Sequence, residues 1–187
     1  GATEGFAQPV LSASFSNYNG YNISCNGFSD GQIDLTVNGS GPFNIQWSNG
    51  ATTEDISGLT AGTYTVTVVD VANDTTIETY SLTEPDAITR SAVSIQDVTC
   101  FGLNNGSINI SVAGGVPNYS FQWSNSSSNE DISSLIAGVY TLTITDLNNC
   151  TSVFANDTVH EPDEIKITAT ITNTSCGLIN GMIDASI

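Results

Sequence analysis

The sequence predicts an all-β chain of tandem immunoglobulin-like β-sandwich repeats, each of about 75 residues. Three observations carry this. First, landmarks recur: Cys25, Cys100 and Cys176 stand 75 and 76 residues apart, and Trp47/Trp123, Tyr64/Tyr140 and Asp70/Asp146 are each 76 apart. Second, short alternating or β-branched runs are separated by Gly, Asn, Ser and Pro, and no ten-residue window shows a helical apolar period. Third, Leu59 to Tyr64 and Leu135 to Tyr140 share a Leu-x-x-Gly-x-Tyr spacing, each downstream of a single Trp.

The elements follow in order. An entry strand is expected from about Pro9. In the first repeat the strand signals are 31–37 (GQIDLTV), 43–47 (FNIQW), 63–69 (TYTVTVV) and 76–82 (TIETYSL). The second repeat offers GSINISV, YSFQW, VYTLTIT and, more weakly, TSVFAND. Trp47 and Trp123 suit the buried aromatic of a sandwich, and Tyr64 and Tyr140 suit a tyrosine corner, whose hydroxyl bonds back to the backbone. About seven short strands per repeat are expected by analogy with that fold. Each repeat closes on Glu-Pro-Asp, at 84–86 and 161–163, and the next entry strand follows at once. Pro restricts itself and its predecessor, so a linker this short favours a semi-rigid connection. The expected boundaries are 1–86, 87–162 and 163–187, the last holding the opening strands of an incomplete third repeat, as in a piece of a longer array.

Composition excludes several functions. Nineteen acids against two bases leave a net charge of −17, a field that repels phosphate backbones and anionic lipid headgroups. Nucleic acid is therefore not an expected partner. No run of about 18 apolar residues exists to insert into a bilayer as a helix. The recurring apolar alternation argues against disorder.

Cys25, Cys100 and Cys176 share a repeat position, whereas Cys150 has no counterpart, because Asp74 takes its place in the first repeat. The economical pairing is Cys100 with Cys150, which closes a loop inside the second repeat and contributes on the order of 4 kcal/mol. Cys25 and Cys176 would then be free. The alternative is four reduced core thiols.

The block formed by Cys25, Gly27, Asp30-Gly31, Pro42, Trp47 to Gly50, Glu54 to Ile56 and Leu59 through Asp70 is a recognisable pattern. It recurs as Cys100, Gly102, Asn105-Gly106, Gly114-Gly115, Pro117, Trp123 to Asn125, Glu130 to Ile132, Leu135 through Asp146 and Cys150. This block resembles SprB-type repeats of very large surface adhesins of gliding Bacteroidota. The first copy departs at Asp74, where the pattern has its closing Cys. The resemblance covers nearly the whole chain. It implies an extracellular, cell-surface protein exported by a type IX system and acting in adhesion, gliding motility or extracellular structure. It brings no catalytic residues.

The residues themselves agree that this is not an enzyme. His160, the one histidine, sits beside a linker, and the adjacent acids Glu54-Asp55 and Glu130-Asp131 point to opposite faces of an extended strand. They are expected to solvate a turn. No organic cofactor is expected. Calcium is the ion that the junction carboxylates would suit, with Asp70, Glu84 and Asp86 at the first junction and Asp146, Glu161, Asp163 and Glu164 at the second. Asp74-Thr75-Thr76 and Asp157-Thr158-Val159 resemble the O-glycosylation signal of the Bacteroidota and mark Thr75 and Thr158. The function expected is a non-catalytic segment of an adhesin stalk. Its partners would be neighbouring repeats, copies of itself or surface glycans. The alternative is a filament subunit completed by strand exchange between chains.

Overall fold

A computed structural model describes residues 8–173, 176 and 182–186. Among these the chain is all-β, with antiparallel sheets throughout. The first repeat contains β1 (Val10–Phe15), β2 (Gly31–Asn38), β3 (Asn44–Trp47), β4 (Ile56–Leu59), β5 (Gly62–Val69) and β6 (Thr75–Leu82). The second contains β7 (Thr89–Gln96), β8 (Gly106–Ala113), β9 (Ser120–Trp123), β10 (Ile132–Leu135), β11 (Gly138–Thr145) and β12 (Thr151–Val159). Each is a sandwich of two three-stranded sheets, β1-β2-β4 on β3-β5-β6 and β7-β8-β10 on β9-β11-β12. Each sandwich thus has six strands rather than the expected seven. The short strands β4 and β10 gave no alternating run to read, because they present only their end residues to the core, Ile56 and Leu59, Ile132 and Leu135. β13 (Thr168–Thr172) pairs with β14 (Met182–Ser186) in a separate hairpin.

Burial explains the alternation. On β2, Gly31, Ile33 and Leu35 face inward while Gln32, Asp34 and Thr36 face out. From the opposing sheet Val66 and Val68 meet them, both without exposure. Trp47 and Trp123 fill the centres of two separate cores, and each indole N–H donates to a backbone carbonyl, of Thr53 at 3.0 Å and Asn129 at 2.9 Å. A buried Trp needs such a partner for its one polar atom. Tyr64 donates its hydroxyl to the Thr60 carbonyl and Tyr140 donates to that of Ile136, both at 2.9 Å. Each bond pins the turn that precedes the central strand of its sheet.

Glycine is required where β2 and β8 begin. A Cβ on Gly31 would lie 2.5 Å from Ile23 Cδ1 and 2.9 Å from the Leu59 carbonyl oxygen. At Gly106 it would lie 2.7 Å from Val159 Cγ1. At Gly31 the obstacle includes the backbone of β4, whereas at Gly106 the neighbouring carbonyls stand at 3.2 Å and the closest atom is a side-chain methyl.

Each sandwich has two ends. The tail carries the cysteine loop that precedes β2 or β8, next to Glu-Pro. The head carries the β2–β3 or β8–β9 loop, next to the turn after β5 or β11. The second repeat sets its head against the tail of the first.

Candidate functional site: the junction between repeats

The junction is assembled from both sides of the linker. At the tail of the first repeat, Glu84 Oε2 accepts the Gly27 N–H at 2.7 Å, and Asn26 donates to the Pro85 carbonyl at 3.1 Å. Asn22 accepts both the N–H and the hydroxyl of Thr83. Pro85 is fully buried. The linker is therefore stitched to the sandwich it leaves.

It is equally fixed to the one it enters. The Asp86 carbonyl accepts the Gly115 N–H at 2.7 Å. Gly114 adopts φ +79, and a Cβ there would stand 1.9 Å from the Ala87 carbonyl oxygen. The Gly114-Gly115 pair lets the linker lie directly on the head loop.

Asp146 organises that head. It is 4% exposed, and its carboxylate accepts three N–H groups: Val116 at 2.8 Å, Asn148 at 2.9 Å and Cys150 at 2.9 Å. The turn so formed presents two side chains to the neighbouring repeat. Asn148 Nδ2 donates to the Ser24 carbonyl at 2.9 Å and to that of Tyr18 at 3.3 Å, while Asn19 donates to Asn148 Oδ1 at 2.6 Å. Cys150 forms a disulfide with Cys25, their Cα atoms 5.6 Å apart across 125 residues of sequence.

This corrects the expected pairing of Cys150 with Cys100. Cys100 lies in the tail loop of the second repeat and Cys150 in its head, with the nine residues of β12 running between the two ends. Nine strand residues span about 30 Å, whereas a disulfide requires Cα atoms within about 7 Å. A pairing inside one sandwich is geometrically closed to these two positions. Cys100 and Cys176 are free and exposed. Nothing in the sequence marked Asn148.

The remaining carboxylates are dispersed. Asp70 accepts the N–H groups of Ala72 and Asp74, both at 2.9 Å, in a turn equivalent to that of Asp146, and its Oδ2 is buried without a partner. Glu161 Oε2 accepts the Gly102 N–H at 2.9 Å, copying Glu84. Asp86 enters the junction through its backbone carbonyl, Asp163 is exposed, and Glu164 pairs with Lys166 at 3.4 Å. Among the described residues, no three His, Cys, Asp or Glu side chains gather as ligands would. Thr75 is exposed at the start of β6, whereas Thr158 is half-buried in β12.

Glu54 and Asp55 do more than solvate a turn. Asp55 accepts the Leu35 N–H and Glu54 the Val37 N–H, both at 3.0 Å, and Asp131 accepts that of Ile110 at 2.8 Å. They continue the ladder of β2 and β8 past the point where the short partner strand ends.

No curated protein matches the chain. The SprB repeat family matches residues 18–52 and again residues 92–128. The first match contains the disulfide-bonded tail loop, β2, and β3 with Trp47. The second covers the corresponding loop, β8, and β9 with Trp123. Both matches fall on equivalent parts of two sandwiches joined head to tail, and each of these two stretches is accordingly similar to an SprB repeat.

Proposed function

We propose that this chain is a load-transmitting segment of an extracellular surface adhesin, a stiff spacer that holds a binding region away from the cell. SprB repeats occur in cell-surface proteins. The observation that carries the reading is the junction: a covalent bond, a three-way Asn148 bridge and a linker pinned on both sides leave little freedom between consecutive repeats. A spacer needs resistance to bending and to unfolding under tension rather than a cavity or a reactive group. The disulfide joins the tail of one sandwich to the head of the next, so force passes between them through more than the linker.

Small-angle X-ray scattering under oxidising conditions tests this. A compact globule of this length has a radius of gyration of about 16 Å. The expected result is a clearly larger value with the distance distribution of a single elongated body. A value near 16 Å, or the broad distribution of hinged beads, would rule the spacer out.

A second reading rests on the hairpin of β13 and β14. Ile171, Met182 and Ile183 are 61–72% exposed, and among the described residues no sheet faces the hairpin as β9-β11-β12 faces β7-β8-β10. A sheet in that condition accepts a partner, and a neighbouring chain could supply it as a filament subunit does. Light scattering after size-exclusion chromatography, over a range of concentrations, separates the readings. Filament assembly predicts association by the full chain that is lost in one ending at Pro162. Two monomers at all concentrations would remove it.

A further inference from the structure

The tail of the second repeat duplicates the tail that receives a neighbour in the first. The Leu103 N–H donates to the Cys100 carbonyl at 3.2 Å as the Phe28 N–H donates to that of Cys25 at 3.1 Å. Glu161 holds the Gly102 N–H as Glu84 holds that of Gly27. Asn105 accepts the Thr99 N–H at 3.1 Å as Asp30 accepts that of Ser24 at the same distance. In the first of these loops the cysteine is bonded to the head of the next repeat. In the second, the cysteine at the same position is exposed and unbonded.

We infer that Cys100 is the covalent docking site for the head of a further repeat of this kind, through a cysteine at the position of Cys150. Consecutive repeats then form a ladder in which each tail cysteine is bonded to the head of the repeat that follows. The inference rests on the spacer reading above. The partner is identified by what the occupied junction demands. It must carry a buried Asp that folds a five-residue turn, an Asn two residues on that reaches the backbone carbonyl before the tail cysteine, and a Cys four residues after the Asp. At the second tail the equivalent carbonyl belongs to Thr99. Asp74 places a carboxylate where that Cys would stand, so the head of the first repeat cannot make this bond. The ladder runs in one direction.

Bond formation joins the Cys100 and partner sulfurs and releases two protons and two electrons. A disulfide oxidant takes both, becoming two thiols; oxidised glutathione serves in vitro.

The test lengthens the full chain so that it meets such a head. In one version a copy of residues 113–162 follows Ile187, which builds a composite repeat onto the β13–β14 hairpin and sets a copy of Cys150 at the 125-residue separation from Cys100 found for the existing bond. In a second version a whole copy of residues 87–162 follows Asp163, which guards against failure of the composite repeat to fold. Both are oxidised with glutathione, treated with iodoacetamide without reduction, and mapped by peptide mass spectrometry. Cys100 is expected to be alkylated fully in the original chain, to become protected at least tenfold in a lengthened one, and to appear in a cross-linked peptide with the added cysteine. Cys100 alkylated in both lengthened chains while Cys25–Cys150 is intact would overturn the inference. So would a Cys100–Cys100 dimer, or Cys100 bonded to Cys150 of its own repeat. Scattering is read on the same samples, so an elongated body with a free Cys100 defeats the ladder alone, and a compact or hinged body defeats the spacer.

Discussion

Asp55 accepts the backbone N–H of Leu35 through Oδ1 at 3.0 Å, one residue before the short strand β4 begins. β4 pairs with β2 only over Gly31 to Ile33, so the rest of that edge would expose unpaired donors. The side chains of Asp55 and Glu54 take over where the backbone stops. Asp55→Ala should cost about 1–2 kcal/mol, the usual loss when a charge-assisted bond to a backbone donor is removed. Asp55→Ala with Glu54→Ala should also raise the aggregation rate, since an uncovered edge invites strand pairing. Chemical denaturation and thioflavin fluorescence read the two effects, and a double variant as stable and soluble as the parent would show that the edge needs no cover.

The Cys25–Cys150 clasp closes a loop of 125 residues. Loop-closure entropy for that length is about 5 kcal/mol, an upper figure because native contacts hold the junction as well. Cys25→Ser with Cys150→Ser should lower stability by about 2–4 kcal/mol and let the two sandwiches unfold as separate steps. Guanidinium unfolding followed by Trp fluorescence measures it. A single transition unchanged in midpoint would mean that the bond adds nothing to the junction.

Gly31→Ala adds a methyl 2.9 Å from the Leu59 carbonyl and 2.5 Å from Ile23 Cδ1. The side chain can turn aside, but the carbonyl belongs to β4 and moves only with its strand. A loss of about 1–3 kcal/mol is expected from such overpacking. Gly106→Ala should cost less, because its nearest neighbour is Val159 Cγ1 and the carbonyls of Gln96 and Leu135 stand at 3.2 Å. Equal losses at the two sites would contradict the geometry.

In the second repeat Arg90 on β7 is hydrogen-bonded to Asp157 on β12, and its guanidinium lies 4.7 Å from the centre of the Phe154 ring. The pair ties one sheet to the other. Arg90→Met leaves a carboxylate that is 8% exposed without its partner, a loss of about 3 kcal/mol. Adding Asp157→Leu should restore most of it. Failure of the second change to rescue the first, in thermal unfolding, would place the cost in lost packing on Phe154 instead.

Tyr80 carries a buried hydroxyl oxygen without a hydrogen-bond partner. Burial, and secondarily the negative charge of Glu78, raises its pKa above the usual phenol value. The folded chain therefore favours neutral Tyr80, and that contribution is whole below about pH 10 and fades as the pH climbs beyond it. Tyr80→Phe should be neutral or stabilising by up to about 1 kcal/mol at pH 7 and should flatten the alkaline loss of stability. Destabilisation at pH 7 by more than that would reveal a partner for the hydroxyl.

Much of this molecule was legible in the residues themselves. The 76-residue recurrence of Trp47, Tyr64 and Asp70 announced the repeat, and the run over 31–37 marked the strand β2. Those features are local, since a strand's two faces and a turn's glycine are set by neighbours a few residues away. β4 escaped because four residues with two buried ends carry no period. Glu54 and Asp55 were misjudged because the donors they serve are about twenty residues upstream, and Asn148 meets carbonyls more than a hundred residues away. The disulfide makes the division plainest. Sequence spacing favoured Cys100 for Cys150, since a loop of fifty residues closes at less entropic cost than one of 125. A sandwich, however, sends its strands from one end to the other, and so holds its tail and head cysteines a strand's length apart. Only the stacking of one repeat on the next brings Cys25 within bonding distance of Cys150.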